Sequence, residues 1–422
     1  MKKILAVLLI LAMAFALFAC SGGDSGGSPA SSSDNSGGGS SSNESSAAPS
    51  AAPSSSAPAN PDSSVAAENN PVPSELPPEA NPFDEIEGSV GYVGDNVDHW
   101  ARPSYHIVYY NYQVTNLTAQ ITDSLNKLGE VYNFTIEQLT ANGDADVFFN
   151  NLYTILIKNP DGLITDISQE QASRTAEIIR ENDVPCVNLF SRTVDTNDCN
   201  LIPTVIMDQF YNGERQLEYL NSVYTDYWGD IDRADITLFV LDFSTNLDIN
   251  MRGQGAESKW KELFGDQKTI YGDTAAITLS AEAGFEVGNS ILATNPDVKY
   301  WFIVCTVEDV ALGCSRAVEA LDMQDRVLIT ASGASILPGE WDNGYDGCWI
   351  ANYSVPPFLY AGSGVFGLLA LIDGRATVET LWPEYFLPGD QAARFMLGSD
   401  MMTRDTYVEF IASFMRNFGV EP

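Results

Sequence analysis

From residue 104 onward, short continuous apolar runs alternate with segments of helical spacing, and this constrains the chain more than any other feature. Ile236–Phe243 (ITLFVLDF) and Tyr300–Cys305 (YWFIVC) have no polar alternation, so both faces of such a strand must be covered. Helical spacing is clear in Asn116–Tyr132, where Leu117, Ile121, Leu125 and Leu128 fall on one side. The sequence predicts strands at Tyr105–Tyr112, Phe134–Leu139, Leu163–Thr165, Pro185–Phe190 and Pro203–Met207. Helices are expected between them, one of them capped by Ser168. The rhythm then restarts, with strands at Ile236–Phe243, Thr269–Tyr271, Tyr300–Cys305, Arg326–Thr330 and Cys348–Tyr353. Alternation of this kind gives an α/β fold with parallel sheets covered on both faces. Two series imply two doubly wound lobes. Ligands in such sheets bind beyond the carboxyl ends of the strands, here in a cleft between the lobes.

The first hundred residues read differently. Lys2 and Lys3 precede an apolar run from Ile4 to Phe18, too short for a comfortable membrane span. Leu17-Phe18-Ala19-Cys20-Ser21 follows the pattern of a bacterial lipoprotein signal, which makes residues 1–19 the signal and Cys20 the lipidated residue; an ordinary secretion signal is the other reading. Residues 21 to 80 are mostly Ser, Gly, Pro and Ala, with no aromatic and no Lys or Arg. Such a stretch buries too little apolar surface to offset chain entropy. Residues 20–103 are therefore expected to be a flexible tether from a lipid anchor on the outer face of the bacterial membrane.

Composition excludes several classes of function. With 57 Asp+Glu against 21 Lys+Arg, the formal charge is −36, and such a chain repels phosphate backbones. Two histidines, His99 and His106, leave little room for His-based catalysis or metal binding. No Walker loop, G-x-G-x-x-G after a strand, HExxH or G-x-S-x-G occurs. Beyond Cys20 the cysteines are Cys186, Cys199, Cys305, Cys314 and Cys348, an odd number without a CxxC. Cys186 with Cys199 is the candidate pair.

Several partial motifs follow the rhythm: Asp208-Gln209 with Asn212-Gly213, Met251-Arg252-Gly253-Gln254-Gly255, Asn295-Pro296-Asp297-Val298, and Glu308-Asp309-Val310-Ala311-Leu312-Gly313. In these motifs and in element order the chain resembles the type I solute-binding proteins, sugar-binding components of bacterial ABC importers. The ribose- and galactose/glucose-binding branches are nearest in pattern. The resemblance implies two lobes joined by three crossings, placed at 104–207 plus 335–383 and at 208–334 plus 384–422. It implies a binding protein without catalysis or cofactor, a monomer that delivers a small polar ligand, a sugar, to an ABC permease. A sensor working through a chemoreceptor or kinase, or a binder of a nucleoside or furanosyl signal, shares the same fold.

The resemblance also points to site residues. Asn246-x-Asp248-x-x-x-Arg252 has the family's spacing of sugar-contacting groups. Asn352 matches an amide near the last crossing, Glu308 and Ser332 stand at cleft positions, and Phe190 follows the fourth strand beside Arg192. Tyr110 and Tyr112 flank Asn111 at the end of the first strand. Trp341, Tyr345 and Trp349 cluster before the last crossing, where each aromatic face suits a sugar ring. Asp230, Asp232 and Asp235 sit where the galactose branch carries a calcium loop, but three acids give a hard cation too few oxygens. The only enzyme chemistry the composition readily permits is a carboxylate pair such as Asp248 and Glu308 in a glycosidase.

Overall fold

The computed structural model describes residues 77–83, 90–93, 95, 97–167 and 169–422. The signal, Cys20, the tether up to residue 76 and Ser168 lie outside them.

Among the described residues, twelve strands form two six-stranded sheets. Sheet 1 takes β1 (Tyr105–Asn111), β2 (Phe134–Thr140), β3 (Gly162–Asp166), β4 (Cys186–Leu189), β5 (Thr204–Met207) and β11 (Arg394–Leu397), in the order β11-β5-β4-β3-β1-β2. Sheet 2 takes β6 (Ile236–Asp242), β7 (Thr269–Asp273), β8 (Tyr300–Cys305), β9 (Val327–Ser332), β10 (Trp349–Ser354) and β12 (Asp400–Thr403), in the order β12-β10-β9-β8-β6-β7. All pairings are parallel except β10 with β12. This is the expected α/β fold.

The helices are α1 (Asn116–Tyr132), α2 (Ala145–Ile157), α3 (Gln169–Glu181), α4 (Gln209–Trp228), α5 (Leu247–Phe264), α6 (Ala281–Thr294), α7 (Glu308–Ala320), α8 (Leu337–Asp342), α9 (Pro357–Ile372) and α10 (Tyr407–Asn417). Thr115, Asp144, Asp208, Asn246 and Ser280 cap five of them by accepting a backbone N–H of the first turn. The uninterrupted apolar strands split by parity onto two faces. In β1, Ile107 and Tyr109 join the core beneath α1 and α9, while Val108 and Tyr110 join the one beneath α2 and α3. In sheet 2, Trp301 and Ile303 face α6 and α7, and Phe302 and Val304 face α4 and α5. Here the helices approach until backbones touch. A Cβ on Gly213 of α4 would lie 1.8 Å from the Arg252 carbonyl oxygen, and one on Gly255 of α5 would lie 1.9 Å from that of Phe210. No other residue permits that approach.

Chain segments change sheets after Met207, after Ser354 and between Leu397 and Asp400. Two expected boundaries are therefore corrected. Residues 335–354 do not belong with lobe 1, because Trp349–Ser354 pairs in parallel with β9 of sheet 2. Conversely, residues 384–397 do not belong with lobe 2, because Arg394–Leu397 pairs with β5 of sheet 1. The last helix serves both lobes. Tyr407 lies against Trp341 of lobe 2, with ring centroids 5.1 Å apart, while just beyond the helix Phe418 packs on Phe358 and Phe366 of α9.

The tether reading is also corrected for its described part. Ala80 forms a parallel bridge with Leu397 at the edge of sheet 1, and the Tyr92 ring packs on Phe395. Arg102 donates to the carbonyls of Tyr132 and Asn133, and Asn133 donates back to His99 and Arg102. These residues form part of lobe 1.

Candidate functional site

Two contacts show that the carboxyl ends of the sheets meet. Gln120, in the first turns of α1, donates to the Ser335 carbonyl beyond β9, at 2.6 Å. Arg192, beyond β4, reaches Asp248, beyond β6. The site therefore consists of what the strands carry at those ends.

On lobe 2 the sequence-predicted residues come together, and nearly all are already bonded. Asn246 caps α5 by accepting the Ile249 N–H at 3.0 Å. Asp248 accepts from the Arg192 backbone N–H at 2.9 Å and from its Nε at 2.7 Å, one bond to each carboxylate oxygen. Arg192 is raised above its ordinary pKa: burial opposes its charge, but Asp248 and Asp198 outweigh it. Arg252 donates from Nε to Gln209 Oε1 and from Nη1 to the Thr306 carbonyl, both at 2.6 Å. Burial draws its pKa down to about 10. Asp242, which closes β6, accepts the Phe243 N–H at 2.7 Å and Asn250 Nδ2 at 2.5 Å, and burial pushes it up to about 6.

Glu308, Asn352 and Ser332 are engaged by other groups of the protein. The Glu308 carboxylate accepts from the backbone N–H groups of Ser335, Ile336 and Leu337, the Ser335 hydroxyl, and Asn352 Nδ2 at 2.8 Å. The Asn352 oxygen accepts Trp349 Nε1 at 2.7 Å. Ser332 Oγ accepts from Asn212 of α4 at 3.1 Å. All three side chains are buried. They fix the loop beyond β9, and through Gln120–Ser335 that loop touches lobe 1. Asp248 and Glu308, the one carboxylate pair considered for catalysis, are thus each tied into separate networks.

On lobe 1 the aromatics also turn inward. Tyr110 stacks on Phe148 at 4.6 Å, its hydroxyl donating to the Phe148 carbonyl. Tyr112 donates to the Gly143 carbonyl at 2.7 Å and stays half-buried at the rim. Phe190 adopts a φ of 73° and sets its edge against Tyr360. Trp341 and Trp349 pack in the core of lobe 2, with Tyr345 against it. All three line a cavity of about 230 Å³ with Trp228 and Asp325, near the amino ends of β9 and β10 and away from the cleft.

Two residues complete the lobe 1 edge: Asn111, which the sequence placed between the two tyrosines, and Asp166, which sequence reasoning missed. Asn111, the last residue of β1, is fully buried; its Nδ2 donates to the Gln113 carbonyl, but its Oδ1 has no partner. Asp166, at the end of β3 and beside Asn111 in register, accepts no hydrogen bond at its carboxylate among the described residues, and burial pushes its pKa up to about 7. The sequence signal was present: Asn111 and Asp166 are polar residues closing buried parallel strands, where such sheets bind ligands. A roomier cavity of about 440 Å³ opens at the amino ends of β4 and β5. Ile179, Val184, Leu201 and Val378 give it apolar walls, and it lies at the wrong edge of the sheet for this chemistry.

The Asp230, Asp232 and Asp235 cluster is engaged otherwise. Asp232 caps a short turn through the Ala234 N–H, and Asp235 pairs with Lys299. Cys186 and Cys199 are not paired; both are free thiols.

The family model of periplasmic binding proteins and the sugar binding domain of the LacI family matches residues 108–336. The chain belongs to that family. Among solved structures, the fold is similar to an ABC transporter periplasmic solute binding protein of Actinobacillus succinogenes with bound D-allose. The TM-score is 0.59 at 12% identity, over 73% of this chain and 100% of that one. It is also similar to a solute binding protein of Bacillus halodurans with bound myo-inositol (TM-score 0.57, 14% identity, 74% and 98% covered) and to a 5-methylthioribose transporter solute binding protein of Thermotoga lettingae (0.58, 13%, 75% and 93%). No curated protein matches the sequence significantly. The family and these neighbours are binding proteins, and the family places the chain outside the cytoplasm. No helix among the described residues is long and apolar enough to cross a membrane.

Proposed function

We propose that the protein captures a small polyhydroxylated ligand, a sugar, between its lobes and delivers it to an ABC permease while Cys20 carries the lipid that holds it at the membrane. The observation that carries this reading is the pair Asn111 and Asp166, at the edge of sheet 1 that meets lobe 2, whose Oδ1 and carboxylate accept from no donor among the described residues. A sugar hydroxyl donates to such acceptors, and its own oxygen can accept from an Arg252 or Asn250 edge across the cleft. Ligand contacts to both lobes favour the closed arrangement by their differential affinity. In this reading no bond of the ligand is broken.

Calorimetry and thermal unfolding of the chain with monosaccharides, inositols and nucleosides test it. A binder raises Tm by mass action, by an amount set by its concentration over Kd. A sugar or polyol as the best ligand supports the proposal. Binding confined to nucleosides, or flat curves throughout, overturns the sugar assignment. The lipid is tested separately, by whether Cys20→Ser releases the protein from membranes.

A further inference from the structure

Asp248 is the acceptor at the most diagnostic spacing of the sequence, yet both its oxygens are already held by a residue of the other lobe. Arg192 supplies two donors of different kinds, a backbone N–H and the guanidinium Nε. Its remaining nitrogens are engaged too: Nη1 pairs with Asp198 at 3.3 Å and Nη2 lies 3.7 Å from Met251 Sδ on α5. The side chains of Arg192 and Asp248 are only 15% and 8% exposed. Asp248 stands in the first turn of α5, at the positive end of the helix dipole. The contact sits against the first crossing, where Arg192, Met207, Gln209 and Met251 enclose a gap of about 20 Å³.

We propose that Arg192–Asp248 is a built-in latch that holds the lobes together before any ligand arrives. It needs only two hinged lobes and not the ligand class proposed above. A latch raises the fraction of the binding-competent arrangement in the free protein, so less ligand affinity is spent on closure. It also restricts what Asp248 accepts, since any ligand donor there must share a carboxylate already neutralised by Arg192.

Pulsed dipolar EPR on the full chain without ligand tests this. Spin labels are placed through a non-natural keto residue at Val147 on lobe 1 and Ile277 on lobe 2, which are 38% and 46% exposed. The unaltered pair gives one short, narrow distance distribution. Arg192→Gln and Asp248→Asn each raise the ratio of long to short distances about tenfold, between the effects of exposed and of fully buried pairs. The exchange R192D with D248R moves the distribution back toward the short distance. A long, broad distribution in the unaltered protein, or one that neither substitution changes, overturns the latch. Circular dichroism identifies a variant that fails to fold; Arg192→Gln, which keeps the backbone donor, then decides the matter alone. Sugar titrations play no part in the readout, so failure here and failure of the sugar proposal are distinguishable.

Discussion

The carboxyl edges of the two sheets carry similar polar residues, but the candidate site residues differ between them in how far protein groups satisfy them. On lobe 2, Asp242, Asp248, Arg252, Glu308 and Asn352 are all hydrogen-bonded to protein. On lobe 1, among the described residues, Asn111 Oδ1 is buried without a partner, Asp166 accepts from no donor, and the Tyr109 hydroxyl on the same strand is also unpaired. A buried acceptor without a donor costs about 1–3 kcal/mol. The difference suggests a division of labour. Lobe 2 spends its polar groups on holding its own loops and α5 in place, and lobe 1 keeps acceptors whose cost a ligand hydroxyl can relieve. Residue type alone did not distinguish the two, since an Asn at a strand end serves as a clamp in Asn352 and as a vacant acceptor in Asn111.

The largest expected effect breaks the comparison on the lobe 2 side. Glu308→Ala removes the acceptor for three backbone N–H groups, a hydroxyl and the Asn352 amide in a buried site. The loss should be about 3–5 kcal/mol, the cost of stranding several buried donors. Urea unfolding measures it. A change below about 1 kcal/mol would mean that Glu308 is no clamp and is free to meet a ligand.

An intermediate effect belongs to lobe 1. Asn111→Ala deletes one bond to Gln113 but also an unpaired buried oxygen, so stability should stay within about 1 kcal/mol of the parent. Affinity for whichever sugar raises Tm should drop about tenfold, the loss of one neutral hydrogen bond. Calorimetric titration reads both. Unchanged affinity with lowered stability would reverse the roles assigned to the two edges.

How far the sequence carried this comparison follows from what each feature depends on. Runs such as YWFIVC announce a strand covered on both faces because no polar residue interrupts them, and the N-x-D-x-x-x-R spacing is local to one helix start. Sheet membership is not local. Trp349–Ser354 reads like any buried strand, and only its pairing with β9 assigns it to lobe 2. Pro and acidic residues made 81–103 look like connecting chain, yet Tyr92 and Arg102 find partners far along the sequence. Tyr110 and Tyr112 were conspicuous as aromatics, while the residue between them, Asn111, holds the vacant acceptor. Its vacancy is a fact about neighbours that spacing cannot express.

A pH dependence sharpens the contrast between Asp166 and Asp242. An aspartate in an unfolded chain titrates near ~3.9. Asp166 is pushed up to about 7 by burial. Between those values the folded protein holds a proton at Asp166 that the unfolded chain has released. Its contribution is therefore fully present below pH ~4 and is lost as pH rises toward about 7. Asp166→Asn should remove that part of the decline, so that variant and parent have similar Tm at pH 4 and the variant is higher at pH 8. Asp242 is raised in the same direction, to about 6, but its carboxylate holds Asn250 and the Phe243 N–H. Asp242→Asn flattens the same curve yet turns an acceptor toward those donors into an amide, so its Tm at pH 8 should not rise as that of Asp166→Asn does. Equal gains from both substitutions in thermal unfolding at pH 8 would show that the two edges are satisfied to the same degree, and the distinction between clamp and vacancy would fail.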